Sequence, residues 1–497
     1  MEIKSYISKA SAAKWGVFLL FCLYLYFPVF LHLNTLPIHL WDEALFGLRA
    51  LHFLKFGEYM VNFNHFEGMP DYLSTKLPFT TFFQVAGLKI FGINELGLRL
   101  PISFIFLGTV FYGCYFSRKY LGSILPGIVA GVVLVSSTGV VTSHMLRTGD
   151  HDIPFACYLF LGILFFHRFL NTDRSALLVA FTICMIAAFL TKNLLTGLIF
   201  PGLLAYTLYR RSFVKMLRDY RIYLSLLAIA GSYVGTILYI ENISPGFWAR
   251  MWDHDLMGRY KEPIHGHEKA FFYYYYLFVN ESFVPFSYFM LAAIALSADR
   301  NMNKNVQQLL VLNSLVFVFY LLGISLAETK LPWYLGPLYF MGAFITGLGI
   351  YHLWASYIIR MSVAAQYSLL VAALILVIPN YAKIIGSIYL PEPTLSEQKY
   401  GIFIERISKD FPEVDTMVIA DKSFGPAAYF IKEEYNALEQ FNISYQKNIE
   451  FNKGEYVITC FQSVLKVMEQ KYDIKLLNSW QECSLIKIQR EKLILDK

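Results

Sequence analysis

Charge is scarce in this sequence. Aspartate, glutamate, lysine and arginine make up 16% of the 497 residues, where an ordinary soluble domain carries roughly a quarter. That deficit excludes a water-soluble globule. Cysteine is sparse too, with six in the chain, no CxxC pair and no His/Cys spacing suited to a zinc knuckle. A glycine-rich phosphate loop, an internal repeat and a low-complexity tract are all missing. The net charge of +6 comes from basic residues scattered over short loops. The clustered basic face that nucleic acid requires is therefore absent. No small-residue cleavage site follows the first apolar run, which is expected to be retained rather than removed as a signal peptide.

Apolar residues are plentiful: 56% of the chain is hydrophobic and 17% aromatic. Windows of about 17–20 uncharged residues recur, the signature of a polytopic membrane protein. About eleven spans are expected, with up to thirteen allowed, near 15–34, 98–117, 121–143, 153–170, 176–190, 194–209, 222–240, 283–298, 308–326, 332–350 and 364–384. The apolar stretch 78–92 is about 15 residues, roughly 22 Å as a helix, short of a 30 Å hydrocarbon core. It also carries Gln84 and Lys89, so it is read as a helix lying in the interface. The basic short loops, above all 210–221, then fall on the cytoplasmic side. The N-terminus is expected inside and the C-terminal part outside.

Four cysteines, Cys22, Cys114, Cys157 and Cys184, lie in apolar spans and read as small buried hydrophobes. Cys460 and Cys483 lie in the polar C-terminal part. They form a disulfide if that part sits outside the cytoplasm and remain thiols otherwise. From 391 onward the composition is that of a soluble α/β unit: strands near 416–420, 455–460 and 484–489, helices near 426–435 and 463–472. The expected organisation is a mainly α transmembrane unit over 1–390, with amphipathic interfacial helices in a first outer loop at 35–97. An extracytoplasmic α/β domain over 391–497 follows.

On this topology the unusual charges collect at one face: Asp42, Glu43, Lys76, Arg147, Asp150, Asp152, Lys192, Glu262, His265, His267 and Lys330. One charge at a span end is commonly a snorkelling side chain, but a set arriving from six loops points to a shared site. The loop from Trp41 to Pro78 carries Asp42-Glu43 at its start and Lys76 at its end. Lys76, Lys192 and Lys330 each stand where an apolar helix begins or ends, placed to hold a phosphate. Asp150 and Asp152, in RTGDHD, are spaced to meet one divalent cation or one sugar. A metal site using Asp150, Asp152, His265 and His267 is one reading. Solvated histidines beside an interfacial aromatic run is the other.

At these residues the chain resembles the membrane-integral GT-C glycosyltransferases of the dolichyl-phosphate-mannose-protein mannosyltransferase group. It is most similar to the bacterial branch that contains the 4-amino-4-deoxy-L-arabinose lipid A transferase. Asp42-Glu43 matches the acidic pair opening the first outer loop, and Lys76 with Pro78 matches a later lysine-proline motif. Ile90-Phe91-Gly92, Glu95 and Arg99-Leu100-Pro101 match a further stretch, as do Asp152, Thr191-Lys192 and the KLPWY run from Lys330 to Tyr334. Thr75 stands where the family has a glutamate, which in the lipid A transferases is linked to a metal.

The resemblance implies transfer of one sugar from a polyprenyl-phosphate donor, with inversion of the anomeric centre, at the periplasmic face of the bacterial inner membrane. The acceptor implied is lipid A or another glycolipid or glycan, with protein hydroxyls as the alternative. Asp42, Glu43 and Asp152 are the implied catalytic residues. Lys76, Arg147, Asp150, Lys192, His267, Lys330 and Tyr334 are implied in substrate and phosphate binding. A divalent metal ion suits the acidic residues without being mandatory, since the leaving phosphate already bears charge. A lipid or sugar transporter or flippase is the reading from another class; it would show two similar halves and charges near span centres, and neither is present.

Overall fold

The computed structural model describes residues 2–38, 40–57, 75–141, 144–258, 260, 268–389, 396–420, 425–438, 442–446 and 449–492. Glu262, His265 and His267 lie outside them, as does most of the stretch between Gly57 and Lys76. Seven described helical runs are long and apolar enough to cross a bilayer, or eight if the bent pair Tyr273–Ser282 and Phe286–Leu296 is one span. Shorter apolar helices run over Trp15–Phe30, Phe79–Phe91 and Leu125–Val135. The eighth expected span appears as Phe286–Leu296, 11 residues that meet the preceding helix at 110°.

The run Ser175–Tyr209 is 35 residues long, about 50 Å if straight and far more than one bilayer core. It is a hairpin. Asn193, with φ 53° and ψ −144°, breaks the helix. Just before the break, Lys192 Nζ reaches Asp152 Oδ2 at 2.8 Å, at the start of the Asp152–Thr172 helix. Seventeen or so residues later, Arg210 Nη2 reaches Asn171 Oδ1 at 3.0 Å, at the other end of that same helix. The chain thus runs to one face and returns, as the separate spans 176–190 and 194–209 anticipate.

The loop after the first span folds into two helices, Trp41–Phe56 and Phe79–Phe91. The first ends at Gly57, whose φ of 72° makes a left-handed cap. The second is 13 residues, roughly 20 Å, too short to span. It packs on the Glu95–Leu121 helix at a glycine pair, where a Cβ added to Gly87 would lie 2.1 Å from the Gly97 carbonyl oxygen. Asn94 caps the Glu95–Leu121 helix by accepting from the Gly97 amide at 2.9 Å. The Val363–Tyr389 helix turns almost entirely outward, with only Ile384 and Ile388 buried.

The C-terminal part forms a mixed five-stranded sheet: β1 (Thr416–Ala420), β2 (Asn442–Gln446), β3 (Tyr456–Thr459), β4 (Tyr472–Trp480) and β5 (Cys483–Glu491). The order is β2-β1-β3-β5-β4; β1 pairs parallel with β2 and β3, and β5 pairs antiparallel with β3 and β4. The three expected strands are β1, β3 and β5, and the expected helices are Pro426–Ala437 and Gln462–Lys471. β2, β4 and the Ser396–Asp410 helix complete the unit; the helix carries a clear apolar stripe at Tyr400, Phe403, Ile404 and Ile407 that the expected elements leave out. Cys460 and Cys483 are joined by a disulfide.

Candidate functional site

A cavity opens between the Trp41–Phe56 helix, the Asn193 turn and the KLPWY segment. Asp42, Phe46, Lys76, Thr191, Lys192, Asn193, Tyr260, Trp333 and Tyr334 line it. Thus one carboxylate and two ammonium groups share an aromatic-walled space. Trp333 also lines a second cavity, with Thr138, Gly139, Met145, Glu281 and Tyr339 among others.

Lys192 is held from behind by the buried Asp152. The ion pair fixes the ammonium group at the cavity wall, where a free lysine side chain would sample many rotamers. Lys330 is 4% exposed and donates to the Ala327 carbonyl at 2.6 Å. Ala327 itself lines the cavity, so Lys330 shapes its wall. Tyr274 OH bonds Leu331 at both backbone groups, accepting from its amide at 3.0 Å and donating to its carbonyl at 3.2 Å.

The turn 147–152 is gripped from several sides. The Gly149 amide donates to Glu43 Oε1 at 2.8 Å, and Gln84 Nε2 donates to the Gly149 carbonyl. Gln84 Oε1 lies 3.2 Å from His151 Nε2, and the His151 ring stacks on Phe46 with centroids 3.6 Å apart. Burial pushes the His151 imidazole well below its ordinary value, which leaves it neutral. Asp150 Oδ1 accepts from the His151 amide at 2.7 Å. Its Oδ2 meets His144 Nδ1 at 2.6 Å, and the His144 ring stacks on Trp333 at 3.8 Å. Burial alone would raise the Asp150 carboxyl, but His144 holds it down at about 2. Burial opposes charge on His144 as well, yet the bond to Asp150 raises it above the usual imidazole value.

The candidate residues therefore separate into groups. Asp42, Lys76, Lys192 and Tyr334 come together at the cavity. Asp150 lies beside them through His144, and Asp152 acts on Lys192. Glu43 is fully buried and faces Arg99, accepting from Nε at 2.8 Å and Nη2 at 3.2 Å. Arg147 donates to the carbonyls of Pro28, Leu31 and His32, closing the end of the first span. Burial lowers its guanidinium to about 10.

His144, Gln84 and Tyr260 belong to the site without having been read as site residues from the sequence, while Trp333 lies inside the matched KLPWY run. His144 sits at the tail of an apolar span in no recognisable motif, and Gln84 reads as one polar residue in an apolar helix. Asp42, His144 and Asp150 each offer one ligand atom, and these atoms lie within 4.8 Å of one another. Two carboxylates and an imidazole make a donor set that fits a divalent cation such as Mn²⁺ or Zn²⁺.

Residues 75–239 match the family model described as dolichyl-phosphate-mannose-protein mannosyltransferase. An uncharacterised protein of Aquifex aeolicus (strain VF5) is 25% identical over 308 residues, 61% of this chain and 58% of that one. The match thus spans under two thirds of that relative. The crystal structure of ArnT from Cupriavidus metallidurans bound to undecaprenyl phosphate superposes with a TM-score of 0.68 at 15% identity, covering 95% of this chain and 98% of that one. The archaeal oligosaccharyltransferase AglB from Archaeoglobus fulgidus, in complex with an inhibitory peptide and a dolichol-phosphate, gives a TM-score of 0.51 at 12% identity, over 92% and 72% of the two chains.

The protein is a polytopic membrane protein with the GT-C glycosyltransferase fold. Over residues 75–239 it is similar to the dolichyl-phosphate-mannose-protein mannosyltransferase family, and over its whole fold to ArnT.

Proposed function

We propose that the protein transfers a sugar from a polyprenyl-phosphate carrier to an acceptor hydroxyl at the outer face of the bacterial cytoplasmic membrane. The observation that carries this reading is the cavity in which Asp42 shares one space with Lys76 and Lys192. A glycosyl phosphate needs that combination: a base for the incoming hydroxyl and cations for the outgoing phosphate.

In the reaction the acceptor oxygen attacks the anomeric carbon as the bond from that carbon to the phosphate oxygen breaks. Asp42 orients the hydroxyl and takes its proton. The two lysines neutralise the polyprenyl phosphate that leaves, with Asp152 holding Lys192 in position. Attack opposite the leaving group inverts the anomeric centre. Tyr260, Trp333 and Tyr334 offer flat faces to the sugar or to the first isoprene units. The second cavity, which shares Trp333 with the first, gives the acceptor a separate approach. A divalent cation on Asp42, His144 and Asp150 would supply further positive charge.

Orientation is supported by two features. The basic loop around Arg210, Arg211, Lys215, Arg218 and Arg221 follows the hairpin at the end away from Lys192, as the positive-inside tendency requires. The Cys460–Cys483 disulfide suits an oxidising compartment for the C-terminal sheet. A glycolipid such as lipid A is the acceptor class we favour, from the similarity to ArnT.

The test is transfer of radiolabelled sugar from a panel of polyprenyl-phosphate sugars to membrane lipids and proteins, by wild type and Asp42→Asn in parallel. Consumption of a donor by the wild type alone supports the reading, and the labelled product distinguishes lipid from protein acceptors. Consumption of no donor across the panel would reject it.

A further inference from the structure

The two cavities share Trp333, and their charges differ in sign. The first carries Lys76 and Lys192 beside Asp42. Among the described residues that line the second there is no lysine, arginine or histidine, and its one charged group is Glu281. Trp333 is the one described side chain that borders both. Its ring stacks on His144, which Asp150 fixes in turn through the 2.6 Å contact at Nδ1.

The second cavity forms where the end of the Tyr273–Ser282 segment meets the short helix Thr138–Val141 and the start of the Gly336–Ser356 helix. The fold settles most of its polar groups. The Thr138 hydroxyl donates to the Ser282 carbonyl at 3.4 Å, and the Ser282 hydroxyl donates to the Leu277 carbonyl at 2.9 Å. Tyr339 is buried, and its hydroxyl oxygen would lie 2.2 Å from a Cβ added to Gly139, so glycine is what admits it. Glu281 is different. It is exposed, and its carboxylate makes no hydrogen bond or ion pair among the described residues.

Size and chemistry narrow what this space accepts. Its volume is about 220 Å³. A cavity of roughly 150 Å³ accepts benzene, so this one holds a six-membered ring with its substituents. A carboxylate only accepts hydrogen bonds, through two oxygens. Hydroxyls on adjacent ring carbons donate to it in pairs, and the charge strengthens each bond. Trp333 and Tyr339 give aromatic wall for the apolar face of such a ring. A phosphate is the wrong guest, because it brings like charge to Glu281. An isoprene chain is wrong as well, since it would cover the carboxylate and give it no partner.

We propose that the second cavity is the acceptor subsite, that it takes one unphosphorylated sugar ring of a glycan or glycolipid, and that Glu281 is the residue that selects it. The two substrates are then sorted by charge: the donor phosphate goes to the lysines, and the neutral ring goes to Glu281. The assignment rests on the transferase reading only in calling the ring an acceptor; the preference for an unphosphorylated sugar does not depend on it.

The test uses the full-length protein in nanodiscs, as wild type, Glu281→Gln and Glu281→Lys. The probes are methyl glucoside and methyl glucoside 6-phosphate, both too polar to enter lipid, with binding read by saturation-transfer NMR. Undecaprenyl phosphate, bound in a separate titration, reports on the first cavity. The wild type should bind the neutral glycoside about tenfold more tightly than its phosphate, and Glu281→Lys should reverse that order. Glu281→Gln should bring the two probes to within about threefold of each other while undecaprenyl phosphate binds as before. With a donor that the wild type consumes, Glu281→Gln should raise the acceptor KM several-fold and leave the donor KM alone. The proposal would be overturned by a wild type that binds no methyl glucoside, by the same order of probes in all three proteins, or by loss of undecaprenyl phosphate binding in Glu281→Gln. An order that changes with Glu281 in a protein that consumes no donor would reject the transferase reading while the sugar subsite stands.

Discussion

Asp152 and Lys192 meet at 2.8 Å where two antiparallel helices reach the same face. The carboxylate is buried and the ammonium group borders the cavity. One group therefore does two jobs: it closes the helix pair and aims a cation. Asp152→Asn keeps the shape but removes the charge that steadies Lys192. A charge-assisted hydrogen bond contributes about 1.5–3 kcal/mol, so kcat/KM for the donor should fall roughly 10- to 150-fold. Lys192→Met should cost at least as much, and a double variant no more than the worse single one, as expected for residues that act as a unit. Steady-state kinetics on the two singles and the double decide this.

Asp42 is the carboxylate that shares the cavity with Lys76 and Lys192. Loss of a positioned base typically costs about 10²–10⁴-fold. Asp42→Asn should lose that much in kcat while donor binding, measured by equilibrium titration, stays within a few fold. Retained turnover would move the base elsewhere.

The Asp42, His144 and Asp150 trio suits a cation. Chelation should lower transfer and added Mn²⁺ should restore it. His144→Ala should reduce the metal content of the purified protein measured by mass spectrometry. Full activity after exhaustive chelation would assign the His144–Asp150 pair to shaping the turn alone.

Glu43 is fully buried and bonded to Arg99 at two points. Removing one partner of such a pair strands a charge and costs about 3–5 kcal/mol. Arg99→Met should therefore lower thermal stability markedly and abolish transfer. Glu43→Gln, which keeps an acceptor for Arg99 and for the Gly149 amide, should be the milder change.

The Cys460–Cys483 disulfide closes a loop with a sequence separation of 23. Loop-closure entropy for that length is worth roughly 3 kcal/mol. Reduction should destabilise the C-terminal sheet, seen as faster exchange in β3 and β5, with a smaller effect on the membrane helices.

Much of this architecture is legible in composition. Long uncharged runs announce the spans, and the 13-residue Phe79–Phe91 helix is readable as too short to cross because helix rise is fixed. The hairpin at Asn193 is readable from the polar Thr191-Lys192-Asn193 step between two apolar stretches. The site was harder to assign because sequence shows which residues reach a face and not what each one meets. Asp150 and Asp152 look like a pair two residues apart. In the fold the helix starts at Asp152, and its side chain goes to Lys192 while Asp150 goes to His144. Glu43 reads as the twin of Asp42. One residue further along a helix turns it about 100°, from the cavity into the packing against Arg99. His144 stands six residues before its partner Asp150, a spacing that no motif announces, and its ring is held by Trp333, far along the chain.

The Val363–Tyr389 helix, which leads into the C-terminal unit, is tied to the protein near its end, where Tyr381 stacks on Tyr24 and donates to its carbonyl at 2.8 Å and Asn380 donates to the Val284 carbonyl. Before Asn380 it is mostly exposed, and that stretch can tilt with bilayer thickness at little cost. What registers the C-terminal unit on the Trp41–Phe56 helix is then the patch around Phe430 and Glu433, where Phe430 packs on Gly47 and Glu433 pairs with Lys55, rather than the covalent tether. A chain severed between Tyr389 and Ser396 should purify as two fragments that remain together and still work. Thinner or thicker lipid should alter the tether's angle while leaving the rate of sugar transfer alone.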